Sequence, residues 1–149
     1  MIHAFDLFIL KKFSINAIAF NYFLFKIKRK DSPDCVFCKQ FPETIIHFFC
    51  DCDIVKPIWK DLVDVIRDKH DSNFRISSFD KIFGIQDDQF LTYLFLCVKY
   101  YLYVCKFQTK IPNFTALIVF IKNNRETEYF IAKKRDKLSL HYKKWRFEF

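Results

Sequence analysis

Apolar residues recur along this chain at helical rather than alternating spacing. Between Ile54 and Asp68 they fall at Ile54, Ile58, Leu62, Val65 and Ile66, offsets of three and four that mark one face of an amphipathic helix, with Trp59 beside the stripe. Ser78–Gly84 reads as one or two helical turns with a serine cap and a closing glycine. Asp87 or Asp88 then caps a long apolar helix running to about Gln108, and Pro112 suits the first turn of a last helix from about Ile111 to Leu140. That last helix is apolar in its first half and dominated by Lys and Arg from Lys122 onward. Upstream, Ile2–Lys30 is apolar at nearly every position and reads as two helical pieces broken near Ser14–Asn16. So apolar a lead-in is expected to pack against something. A turn cluster at Asp31–Asp34 closes it, and a short helix is expected over Glu43–Phe49, with Pro42 near its start. No strand pair stands out away from Cys35–Cys52. The pattern predicts a mainly α protein, a small helical domain with one Cys/His hairpin. Its parts are a lead-in over 1–30, a Cys/His segment over 31–69 and a helical region with a basic end over 70–149.

Composition narrows this picture. The chain has 149 residues, enough for one core, and its 21 Phe and single Gly argue against the turn-rich build of a β-sandwich. Abundant Phe, Ile, Lys, Asn and Tyr is also what an AT-rich genome produces. A net charge of +8 makes the chain attractive to polyanions. Met1–Leu10 contains Asp6 and no small-residue cleavage site follows, so no secretory signal is read there. The apolar runs Leu91–Val98 and Ile111–Ile121 are shorter than the roughly 20 residues of a spanning helix. The expectation is an intracellular protein, nuclear or cytoplasmic, with no membrane partner. Its six cysteines then read as thiols or metal ligands rather than disulfides.

Four of those cysteines and one histidine lie between Cys35 and Cys52, in DCVFCKQFPETIIHFFCDC. Zinc takes four tetrahedral thiolate or imidazole ligands, and a C-x2-C pair at a tight turn supplies two. Cys35 and Cys38 have that spacing, and His47 follows. The fourth ligand is either Cys50 or Cys52. A helix continuing through Cys50 puts it on the face of His47, one turn on; Cys52 needs the chain to turn after about Phe49. Local chemistry leaves both open. Cys97 and Cys105, eight apart on one apolar helix, read as core, as do Phe107 and the Tyr100, Tyr101 and Tyr103 group, which would pack in the core or at an interface. His3, His70 and His141 are isolated and read as surface histidines.

The run DSPDCVFCKQFPETIIHFFCDCDIVKPIWKDL resembles the zinc-binding segment at the C-terminal end of LINE-type, non-LTR retrotransposon reverse transcriptases. That pattern is C-x2/3-C, a Glu-Thr pair, His-x4-Cys and a Trp about seven residues on, and here Cys35, Cys38, Glu43, Thr44, His47, Cys52 and Trp59 take those places. The likeness extends from about residue 16 to residue 146. It implies Cys52 as the fourth ligand beside Cys35, Cys38 and His47, and a structural zinc ion. It also implies a detached tail without the polymerase or endonuclease domain, partnered by RNA or DNA and by the other domains of the parent element. The only Asp-Asp pair, Asp87-Asp88, precedes a helical pattern and reads as a cap rather than a magnesium site.

The expected function is therefore non-catalytic nucleic-acid binding. Lys26, Lys28, Arg29 and Lys30 lead into the hairpin and are expected to form one basic surface with Lys39; Lys133, Lys134 and Arg135 form a second, with Lys137, Lys143, Lys144 and Arg146 beyond. Phe37, Phe41, Phe48 and Phe49 are candidates for stacking on bases, although Phe48 and Phe49 read rather as packing on the Trp59 helix. One rival reading is a zinc-stapled protein-interaction module. Another is a zinc hydrolase with Glu43 as its general base.

Overall fold

The computed structural model describes residues 19–145, and the expected break at Ser14–Asn16, His3 and Arg146 lie outside them. The described chain is mainly helical, as the apolar spacing predicts: helix α1 spans Asn21–Lys26, α2 Lys56–Lys69, α3 Ser78–Phe83, α4 Gln89–Phe107, α5 Phe114–Lys134 and α6 Leu138–Lys144. A π-helical turn covers His47–Asp51. Among the described residues the only β pairing is an antiparallel bridge between Asp34 and Pro42, at the base of the Cys/His hairpin.

Caps decide where most of these helices begin. Ser77, one residue before the expected start, accepts the Asp80 N–H while Asp80 reaches back to the Ser77 N–H, a complete capping box on α3. Gly84 ends α3 at φ 89°, where an added Cβ would lie 2.6 Å from the Thr92 side chain. Asp88 accepts the Leu91 N–H at 2.9 Å and starts α4, so the Asp-Asp pair does act as a cap. Asn113, not Pro112, starts α5, accepting the Ala116 N–H at 2.9 Å. The expected single last helix breaks at Arg135–Lys137: Asp136 turns left-handed at φ 54° and the Lys137 N–H closes back on the Ala132 carbonyl at 2.8 Å.

One buried cluster runs from Phe20 to Trp145. Helix α4 is its axis, burying residues all round, Cys97, Tyr101 and Cys105 among them. By length and composition α4 could cross a bilayer, although the apolar runs looked too short, and 67% of that window is buried inside the protein. Phe107, read as core or interface, is 69% exposed and so is not part of the core. His141, expected at the surface, is buried, with its Nε2 3.2 Å from the Arg125 carbonyl oxygen. Trp145 packs edge-on to Tyr93 of α4 and donates to Glu128 at 2.9 Å.

Lys99 is buried in α4, its ammonium bonded to the Ile82 carbonyl at the end of α3. Burial lowers its pKa to about 8, against a smaller opposing pull from Cys50. The unfolded chain binds a proton here that the folded chain sheds, so this group's destabilisation is present in full below about pH 8 and fades as pH rises toward 10.5. Lys99→Met leaves the Ile82 carbonyl without this donor, an effect of about 1–3 kcal/mol that offsets the relieved burial of charge, and is expected to remove the rise in stability between pH 8 and 10.5. Denaturant titrations of both proteins at pH 7 and pH 10 check it.

Candidate metal centre

Three short pieces of chain converge on the centre. In the first, the Cys35 N–H bonds the Phe41 carbonyl at 2.8 Å and the Glu43 N–H bonds the Pro33 carbonyl at 2.7 Å, closing the hairpin base. At its tip the Lys39 N–H returns to the Cys35 carbonyl at 2.9 Å, with Lys39 left-handed at φ 55°. This tight turn carries Cys35 and Cys38 on one side. In the second piece, Thr44 caps a helical stretch by accepting the His47 N–H at 3.1 Å, which aims His47 at the hairpin.

The third piece settles which cysteine joins them. After His47 the helix widens, and the Cys52 N–H bonds the His47 carbonyl at 2.8 Å, an i to i+5 closure. That extra residue in the turn brings Cys52 beneath His47 and rotates Cys50 into the core. Cys52 then turns extended, with ψ 129°, and its carbonyl accepts the first N–H groups leading into α2.

The ligand atoms of Cys35, Cys38, His47 and Cys52 all lie within 4.8 Å of one another. Cys35 Sγ is 3.9 Å from Cys52 Sγ, and Cys38 Sγ is 3.2 Å from His47 Nε2. Sulfurs bound tetrahedrally at about 2.3 Å from a common ion would stand about 3.8 Å apart, so the cluster is already near the size a metal needs. Without an ion, Cys35 donates to Cys52: that hydrogen bond, and then burial, drive the Cys35 thiol far up, while the same bond holds Cys52 below its ordinary value. Backbone N–H groups of Phe37 and Cys38 favour the Cys35 thiolate, and that of Ile54 favours Cys52. The four residues can hold a metal ion.

Cys50 stands apart from them. It is 1% exposed, its thiol lies 3.7 Å from the Ser78 carbonyl oxygen, and burial pushes its pKa up to about 11. It ties the π turn to α3 as a neutral thiol.

The aromatic and basic candidates divide sharply. Phe37, Phe48 and Phe49 are buried: Phe37 stacks on Phe48 at 5.1 Å, and Phe20 meets Phe48 and Phe49 at 5.5 and 5.7 Å. Stacking on bases is closed to them, because their rings are buried against one another and Phe20. Phe41 is 53% exposed at the hairpin rim, 5.6 Å from the His47 ring. Lys26, Lys28, Arg29, Lys30 and Lys39 are all exposed, and Lys30 donates to Asn21 Oδ1 at 2.7 Å, which holds its end of the segment against the hairpin. Lys133, Lys134 and Arg135 are exposed on a different element, the end of α5, where cations also complement the helix dipole. Lys144 is drawn inward to Glu128 at 2.9 Å.

Sequence reasoning missed Asn21 and Lys106, which brace the hairpin from α1 and α4. Lys106 offered a signal, being one of two cations in a long apolar run. No family model matches this chain, and no curated protein or solved structure matches it significantly.

Proposed function

We propose that this chain is a non-catalytic, zinc-stabilised, nucleic-acid-binding fragment of a non-LTR retrotransposon reverse transcriptase. The observation that carries the reading is the convergence of three cysteines and a histidine within 4.8 Å, directly beside the exposed run Lys26–Lys30. Three soft thiolates and an imidazole favour zinc over magnesium or calcium. Four protein ligands leave no position for water, which favours a structural ion. The buried state of Glu43, whose two carboxylate oxygens both accept backbone N–H groups, weighs against its service as a general base. The retroelement origin rests on the motif resemblance and on the placement of Thr44 and Trp59, both of which have work to do around the centre.

Nucleic acid would lie across Lys26, Lys28, Arg29 and Lys39, with Phe41 offering a ring to an unstacked base. Anisotropy titration of metal-loaded protein with single-stranded RNA at 50 and 200 mM salt tests this. Three or four phosphate contacts predict a loss of affinity of about tenfold or more between those salts. Binding that is absent, or indifferent to salt, overturns the reading. The second reading, a zinc-stapled protein-interaction module, is favoured by Phe79 and Phe83, whose tilted rings lie 4.5 Å apart and are both about two-thirds exposed on α3. It gains if Phe79→Ser with Phe83→Ser, which removes this tilted ring pair, abolishes association with a polymerase domain and leaves RNA binding intact.

A further inference from the structure

Glu43 is completely buried and its carboxylate joins three separate elements. Oε1 accepts the Asn21 N–H at the start of α1 at 2.9 Å, Oε2 accepts the Val36 N–H between the two hairpin ligands at 2.9 Å, and the Lys106 ammonium arrives from the end of α4. The Glu43 carbonyl also accepts the Tyr22 N–H at 3.3 Å. A second clasp lies beside it: Asn21 Nδ2 donates to the Asp34 carbonyl at 2.7 Å while Asn21 Oδ1 holds Lys30.

Helix α1 needs these clasps. It has six residues, far fewer than an isolated helix requires, and only Asn21 within it is buried. Its remaining surface is aromatic and basic: Tyr22, Phe23, Phe25 and Lys26 are exposed, with Lys28 and Arg29 just beyond. Val36 is the hinge of the connection. It lies inside the C-x2-C turn, whose shape is set when Cys35 and Cys38 close on an ion, and its N–H fixes one oxygen of Glu43 while the other fixes α1.

We propose that Glu43 is a positioning residue that couples metal occupancy to the order of α1, so that the ion assembles the aromatic-basic surface as well as the hairpin. That α1 touches nucleic acid rests on the function proposed above; the coupling itself does not. Linkage makes the effect reciprocal: a polyanion that orders α1 tightens the metal site by the same factor.

Amide hydrogen exchange of the metal-loaded protein tests the coupling without nucleic acid. In Glu43→Gln the amides of Asn21, Tyr22, Leu24 and Arg29 are expected to lose protection by about tenfold or more. Those in α2 and α4 should change little, and cobalt substitution should still show thiolate absorption with weakened affinity. Asn21→Ala, which keeps the Glu43 contacts and removes the second clasp, should loosen the same amides and weaken the metal; loosened α1 with unchanged metal affinity overturns the coupling if Glu43→Gln does not fold. Unchanged α1 protection in the loaded variants, or a loss spread evenly through α4, overturns the proposal. Failure of RNA binding with selective exchange intact would overturn the functional reading instead.

Discussion

Cys52→Ser is expected to empty the metal site, whereas Cys50→Ser leaves it filled. A structural zinc ion contributes on the order of 10 kcal/mol to small domains that close around it, and changes only in outer-shell partners already weaken metal sites by about 10- to 100-fold. Removing a thiolate whose sulfur lies 3.9 Å from Cys35 Sγ should therefore exceed that range and abolish stoichiometric metal after dialysis. The Cys50 side chain, by contrast, faces the Ser78 carbonyl, and a serine hydroxyl there still has its acceptor. Its expected change in stability is within about 1 kcal/mol. Metal content by elemental analysis, with cobalt absorption as the check on sulfur ligation, reads both variants. Metal retained in Cys52→Ser and lost in Cys50→Ser would reverse the assignment.

That choice shows where the sequence stopped being legible. The spacing of Cys35, Cys38 and His47 announced a site, but Cys50 and Cys52 differ only by how the backbone turns after His47. A regular helix would have presented Cys50; a π turn presents Cys52, and one extra residue in a turn leaves no trace in hydrophobic spacing. The α2 stripe was legible because Ile58, Leu62 and Ile66 repeat at helical offsets and all three are buried. The break after α5 was not, since Lys133-Lys-Arg-Asp-Lys137 contains neither Gly nor Pro and the stop is a left-handed Asp136. With 21 Phe in the chain, type alone could not separate the exposed Phe41 from the buried Phe37, Phe48 and Phe49. Glu43 was visible as part of a motif and as a candidate general base but not as a strut, because two of its partners lie 22 and 63 residues away and contacts at such range obey no local period.

Trp59→Ala is the largest core loss expected near the metal. The indole is 2% exposed, meets Phe95 edge-on at 5.2 Å and donates from Nε1 to the Phe49 carbonyl at 2.6 Å. Truncating a buried Trp removes about 3–5 kcal/mol, which in a chain of this size lowers the melting temperature by roughly 10 °C or more. Trp59→Phe keeps most of the apolar contact but leaves the Phe49 carbonyl without this donor, an effect of about 1–3 kcal/mol. The two variants also separate packing from shaping of the site. Phe49 lies inside the π turn that delivers Cys52, so the indole N–H braces the widened backbone directly. Trp59→Phe should therefore weaken metal affinity out of proportion to its modest effect on the melt. Competitive chelator titration measures the first and calorimetry of the metal-saturated protein the second. Equal metal affinity in Trp59→Phe and the parent would confine Trp59 to the core and remove it from the determinants of the turn.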